Sequence, residues 1–187
     1  MRPRQRPFYR SILDGLIFLL VLTVAMALIQ RFGGFDLGDG AIHVIDGDSL
    51  RMGDVEVRLQ GIDAPEHSQI CEDRHGAKFQ CGKHSASILS GLIGSQKISC
   101  SSHEMDRYGR SVAVCMSGGK NLNAEMVRLG WAVAYVNGSA YRGHEAEARR
   151  AKRGLWAGNF EMPEAFRARQ RAMHGALGDM DGAAGQD

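Results

Sequence analysis

The stretch VIDGDSLRMGDVEVRLQGIDAPE, residues 44–66, decides how this chain reads. Within DVEVRLQGI the apolar residues alternate: Val55, Val57 and Leu59 fall on one face, Glu56, Arg58 and Gln60 on the other. A period of two marks a half-buried strand, so Arg58 stands on the polar face. Upstream, AIHVIDGDSLRM reads as a strand, an Asp-Gly turn and a second strand. Downstream, Pro65 fixes a turn at DAPE. The segment therefore gathers Asp46, Asp48, Asp63 and Glu66 at its two ends, with Arg58 between them. Carboxylates held close by a fold repel one another unless a cation, a proton or a chemical task offsets the repulsion.

A cation is the simplest answer. Asp46 and Asp48 are two residues apart, which in an extended segment puts both on one side. With Asp63 they supply three hard carboxylates, which together with a main-chain carbonyl and water suit Ca2+. An EF-hand starting at Asp46 is excluded, because its closing glutamate would fall at Val57. Zinc prefers nitrogen and sulfur donors, which this cluster does not offer. Glu66 is placed to orient or deprotonate a water, and Arg58 and Arg110 to grip a phosphate and oppose the charge developing on phosphorus. A cation, a carboxylate base and two guanidinium groups are the parts needed to hydrolyse a phosphodiester. Taken singly, each feature has a plainer reading as a hairpin turn, a proline turn or a solvated DRYGR loop. Their joint occurrence in one order outweighs those readings.

The rest of the chain supplies a scaffold of α+β type. QKISCSSH and SVAVCMS read as strands joined by EMDRYGR, and WAVAYV as a last strand. Helices are expected from about His84 to Ile93, over NLNAEMVRLG, and over YRGHEAEARRAKRGLW with its end marked by Gly154. About five short strands and about three helices imply a small, partly closed barrel with helices packed against it. From about Ala172 the chain turns small and polar, which predicts disorder.

The N-terminus stands apart. Arg2, Arg4, Arg6 and Arg10 lead into an apolar run from Leu16 to Ile29, the pattern of an export signal. Ala25-Met26-Ala27 supplies a cleavage site, while Leu28 and Ile29 continue the apolar run. Two readings follow: a cleaved signal peptide, or an anchor holding residues 12–29 in the membrane with the domain outside. The expected organisation is thus 1–30 signal or anchor, 31–40 a Gly-rich linker, 41–160 the folded domain, and 161–187 a helical extension and disordered tail.

The whole chain has 23 basic and 21 acidic residues; without residues 1–30 there remain 19 and 20. A near-neutral domain lacks the broad positive field of non-specific nucleic-acid binders, so phosphate recognition must be local. Four cysteines in an exported chain read as two disulfides. Cys100 and Cys115 lie symmetrically about the MDRYGR turn and would face each other in a hairpin, leaving Cys71 for Cys81. A zinc site built from Cys71, Cys81, His75 and His84 is the competing reading.

VIDGDSL, VRLQGIDAPE, DRYGR and GLW, in this order and at these intervals over about residues 42–157, resemble the thermonuclease (staphylococcal-nuclease-like) family. The resemblance implies a five-stranded OB-fold barrel with Ca2+-dependent endonuclease activity on DNA and RNA that leaves 3′-phosphate ends. Residue by residue, Asp48 and Asp63 match the family's metal carboxylates, the carbonyl of Ala64 a further ligand, and Asp46 an acidic neighbour. Arg58, Glu66 and Arg110 match the catalytic trio, and Arg107, Tyr108 and Tyr135 match residues beside the bound nucleotide. Ser49 replaces the usual threonine, and HSQICEDRHGAKFQCG replaces a lysine-rich loop. Two other classes remain: a non-catalytic OB-fold module binding nucleic acid or an envelope partner, and an accessory protein of surface-polymer assembly.

Overall fold

A computed structural model describes residues 8–32, 35–36, 42–135 and 139–183 of the chain. Arg2, Arg4 and Arg6 of the expected leader, most of the expected 31–40 linker and the last four residues lie outside the described residues. The chain divides into two compact units, Met1–Phe35 and Asp36–Asp187.

The first unit is a helix, α1 (Phe8–Phe32), on which the large apolar side chains from Leu16 to Val24 are exposed. Among the described residues, no helix is long and apolar enough to cross a membrane.

The second unit is built on the strands expected from alternation. Strands β1 (Ile42–Val44), β2 (Ser49–Met52) and β3 (Val55–Leu59) form an antiparallel meander in which Ser49 faces Arg58 and Leu50 faces Val57. That register sends Leu50, Met52, Val57 and Leu59 into the core and leaves Arg58 on the other face. A short strand, β4 (Ile62–Asp63), follows. Strands β5 (Cys71–Glu72) and β6 (Lys78–Phe79) then form a small ribbon leading into α2 (Cys81–Ile93). The hairpin of β7 (Ile98–Met105) and β8 (Ser111–Ser117) docks onto the meander through a parallel pairing of β8 with β3. The sheet therefore runs β7-β8-β3-β2-β1, and β9 (Lys120–Asn121) also pairs with β8.

Among the described residues no ladder joins β1 to β7, so the expected barrel is a curled, half-closed sheet. Strand β10 (Val133–Ala134) pairs with β4 as a separate two-stranded ladder. WAVAYV therefore supplies two strand residues, and residues 136–138 lie outside the described set. Buried Leu89 of α2 and Leu122 and Met126 of α3 (Leu122–Arg128) close the core against the sheet. The Asn121 side chain caps α3 by accepting from the Ala124 amide at 3.0 Å.

Five α-helices are described: one in the expected leader, three in the domain where about three were expected, and one in the expected helical extension. The final helix expected over residues 141–156 stops early as α4 (Arg142–Arg150), and GLW forms a 3-10 turn, Gly154–Ala157. The C-terminal α5 runs Pro163–Ala183, through the region from Ala172 where disorder was expected. Low apolar content argued against packing there, but Pro163 suits a first helical turn and the alanines that follow have the lowest cost of helix formation.

Both disulfides pair as expected, Cys71 with Cys81 and Cys100 with Cys115, the second directly across the β7–β8 register. With no free cysteine, the zinc reading is overturned. His75 instead accepts from Arg74 Nε at 3.0 Å, and His84 packs on Trp131 with ring centroids 4.4 Å apart.

Candidate active site

The acid cluster forms where the β1–β2 loop meets the turn after β4. Residues 46–48 are a bend rather than the extended pair read from the sequence: the Asp46 side chain accepts from the Asp48 amide at 3.0 Å. This turn aims Asp48 inward. Helix α2 lies against the loop at Gly47, where a Cβ would overlap Ser85 Oγ. It lies against the next turn at Gly82, where a Cβ would overlap the Glu66 carbonyl. These two glycines let one helix hold the loop of Asp46 and Asp48 and the Glu66 turn together.

Asp48 and Asp63 are each about 1 % exposed, and their burial is offset by dense pairing. Asp48 accepts from Ser49 Oγ at 3.0 Å, from the Ala64 amide at 2.6 Å and from the Arg58 guanidinium. Arg58 gives its other terminal nitrogen to Asp63 Oδ1 at 2.7 Å. Burial pushes the Asp48 carboxyl well above the usual carboxylate range; Arg58 pulls the other way, and Asp46 and Asp63 add to the rise. Burial disfavours the charge on Arg58, yet Asp48 and Asp63 more than restore it.

A second guanidinium closes the cluster. Arg167, from α5, donates Nη1 to Asp63 Oδ1 at 2.9 Å and Nη2 to Asp63 Oδ2 at 3.0 Å. The same Nη1 reaches Glu66 Oε1 at 2.9 Å. These contacts hold Arg167 firmly protonated despite partial burial. Nothing in the sequence pointed to it: it lies beyond every motif, in a segment read as an extension. Gln69 was missed as well. Its side-chain Oε1 accepts from the Glu66 amide at 3.2 Å and its Nε2 donates to the Glu161 carbonyl at 2.7 Å, tying the Glu66 turn to the residues that lead into α5.

Over the cluster opens a groove of about 1210 Å3. Asp46, Arg58, Glu66, Arg107, Tyr108, Arg110 and Tyr135 all line it, as do Arg167 and Arg171. Arg110 is steered by Asp106, which accepts from its Nε at 2.7 Å and from its backbone amide at 3.0 Å. Burial would raise the Asp106 carboxyl, but the hydrogen bonds from Arg110 and the Tyr108 amide outweigh it and hold it below its ordinary value. Tyr108 stands exposed, with the Arg107 and Arg110 guanidinium carbons 4.9 and 5.5 Å from its ring centre.

The fold thus brings Arg58, Glu66, Arg110, Arg107, Tyr108 and Tyr135 to one groove, with Asp46 at its wall and Asp48 and Asp63 buried behind Arg58. Ala64 is placed by its amide, which serves Asp48. The donors are hard carboxylate oxygens of the kind Ca2+ takes. Guanidinium groups hold the faces of Asp48 and Asp63 that a cation would share. Among the described residues no group of three or more His, Cys, Asp or Glu side chains is arranged around one point to hold a metal.

Comparison with known proteins agrees with this architecture. A family model described as "Staphylococcal nuclease homologue" matches residues 56–158. The chain is 36 % identical over 121 residues to "Succinoglycan biosynthesis protein ExoI" of Rhizobium meliloti (strain 1021), covering 63 % of each chain. It is 31 % identical over 164 residues to "Micrococcal nuclease" of Shigella flexneri, covering 77 % of this chain and 88 % of that one. To an "Uncharacterized endonuclease" of Escherichia coli O157:H7 it is 32 % identical over 130 residues, covering 65 % of this chain and 78 % of the relative. The match covers more than half of the chain, from the strand that carries Arg58 to the GLW turn; the chain belongs to the staphylococcal nuclease family, whose members are hydrolases of the nuclease type.

Proposed function

We propose that this chain is an exported, Ca2+-dependent endonuclease that hydrolyses phosphodiester bonds of DNA and RNA and leaves 3′-phosphate ends. The observation that carries the proposal is the convergence of Arg58, Arg110 and Glu66 on one groove in front of two buried carboxylates. Asp46, Asp48 and Asp63, with the Ala64 carbonyl, are the residues that would hold the cation, which supplies Lewis-acid stabilisation of the phosphoryl oxygens.

The remaining chemistry is this chain's own. Glu66, held by the Gln69 side chain through its backbone, takes a proton from the attacking water. Arg110, oriented by Asp106, presents a guanidinium fork to the phosphate and opposes charge developing on its oxygens. Arg58, also lining the groove, keeps Asp48 and Asp63 aligned and adds its positive charge against that developing on the phosphate. Tyr108, flanked by Arg107, offers an exposed ring on which a base stacks, and Tyr135 lies along the same groove. The groove is open and mixed in charge, so phosphate contacts rather than a broad positive field give the grip.

Export is supported by two disulfides, which persist in oxidising compartments, and by the arginine-led apolar N-terminus. Residues 1–30 act as signal peptide or anchor and 31–40 as linker in this reading. The test is cleavage of single- and double-stranded DNA and of RNA by the oxidised protein with Ca2+, repeated with EDTA and with Arg110→Ala. Chelator-sensitive cleavage abolished by the substitution supports the proposal; intact substrate with Ca2+ overturns it. A second reading, an accessory role in surface-polymer assembly, is favoured by the name of the Rhizobium meliloti relative. It predicts that nucleic acid is neither bound nor cut.

A further inference from the structure

We propose that Arg167 is a built-in cation that holds the acid cluster closed, and that a divalent ion must displace it to reach Asp63. The inference rests on the metal-dependent reading above and assigns it a gate. Asp63 is buried, and its two oxygens accept three guanidinium hydrogen bonds, from Arg58 at 2.7 Å and from Arg167 at 2.9 and 3.0 Å. A dication ligated by Asp63 would stand against both positive groups, so one of them has to leave.

The two arginines are not equally free to do so. Arg58 sits in the middle of β3, with its backbone paired to β2 on one side and β8 on the other. Its second nitrogen is committed to Asp48. Arg167 has no partner among the described residues except Asp63 and Glu66, lies in the first turns of α5 and already lines the groove. A change of rotamer swings its head into that groove, where Arg171 also lies, without breaking a backbone hydrogen bond. Phe166, buried beside it, and the Arg169–Glu161 pair keep the helix start in place when the guanidinium departs.

The arrangement couples two events. One nitrogen of Arg167 serves both Asp63 and Glu66, so the move that opens Asp63 to a cation also frees Glu66 to act on water. The base is unmasked as the metal enters. Until then the cluster is charge-compensated, and the fold tolerates buried carboxylates without the ion.

The test reads metal binding without nucleic acid. Calorimetric titration of the oxidised full chain with CaCl2 is compared for wild type, Arg167→Gln and Arg167→Lys. Removing an opposing charge from the entry path raises Ca2+ affinity in Arg167→Gln by about 5- to 150-fold, the range typical of a coupling between sites. Arg167→Lys falls between, because an ammonium is a point charge that cannot fork both oxygens of Asp63. On the wild type itself, the side-chain Nε–H resonance of Arg167 shifts when Ca2+ is added while backbone exchange over 163–175 stays as it was, which keeps the test decisive where a variant folds poorly. Equal or weaker Ca2+ binding by Arg167→Gln, no Ca2+ binding by either protein, or an unshifted Arg167 side-chain resonance in the wild type each overturns the gate. Cleavage by the wild type is scored separately: a nuclease whose Arg167→Gln variant binds Ca2+ no better sinks the gate alone.

Discussion

Arg167 and Asp63, 104 residues apart in sequence, form a two-toothed ion pair at 2.9 and 3.0 Å, with the Asp63 side chain buried. Pairs of this geometry are hard to break from one side, because the surviving charge keeps its burial and loses its partner. Asp63→Ala leaves Arg58 and Arg167 facing each other across a cavity. We expect a loss of about 3 kcal/mol in folding stability, the low end for a buried pair because both arginines reach the groove. Urea unfolding at neutral pH measures it, and a loss under about 1 kcal/mol would contradict the pairing.

Gly82 is where α2 touches the turn carrying Glu66. Gly82→Ala places a Cβ into the Glu66 carbonyl, so the backbone of one element has to move. The expected result is a stability loss of about 1–3 kcal/mol together with a fall in cleavage rate larger than any change in substrate affinity. Equal kcat in wild type and variant would show that the turn absorbs the shift.

Asn123 is buried and ties strand β8 to the turn that follows β3. Its amide donates to the Gln60 carbonyl at 3.0 Å and the Ala113 carbonyl at 3.1 Å, and its oxygen accepts from the Cys115 amide at 3.1 Å. Asn123→Leu strips the Gln60 carbonyl and the Cys115 amide of this partner, while the Ala113 carbonyl keeps the Gln60 amide at 2.8 Å, at a cost of about 1–3 kcal/mol for each group left dry. Thermal unfolding should show the largest drop among polar-to-apolar substitutions in the domain; a silent variant would mean water takes over the bonds.

The pH response of the Arg110 loop follows from Asp106. Its carboxyl is held below the ordinary value, so the stability it adds is present above the unfolded value near pH 4 and is lost as pH falls through the folded one. Below that window Arg110 loses its orienting partner. Asp106→Asn removes this acid-side slope and, at neutral pH, lowers cleavage by weakening the steering of Arg110. Stability curves of both proteins between pH 2 and pH 6 check it; parallel curves would rule the coupling out.

The disulfide Cys100–Cys115 spans a sequence separation of 15 across paired strands. Replacing both cysteines with alanine should lower stability by about 3 kcal/mol, mainly by freeing the unfolded chain, with the hairpin register unchanged. Amide exchange in the β7–β8 ladder reports the register directly.

Alternation of Val55, Val57 and Leu59 determined by itself that Arg58 would face away from the core, and the register bears this out, with Val57 and Leu59 buried and Val55 exposed at the start of the strand. The symmetric placement of Cys100 and Cys115 about the MDRYGR turn likewise determined the hairpin and its bridge. These are local rules: a period of two or a turn centre involves neighbours a few residues apart, and the backbone enforces it wherever the strand goes. The length of the last strand and the incomplete closure of the barrel were decided otherwise, by which partners the folded chain brings alongside. The acids were legible as a group, but their state was not. That Asp63 and Glu66 are held by Arg167 depends on α5 folding back over the groove, and on Gln69 and Phe166 anchoring its start. Charge compensation of a buried carboxylate depends on distances in space, and no spacing along the sequence measures them.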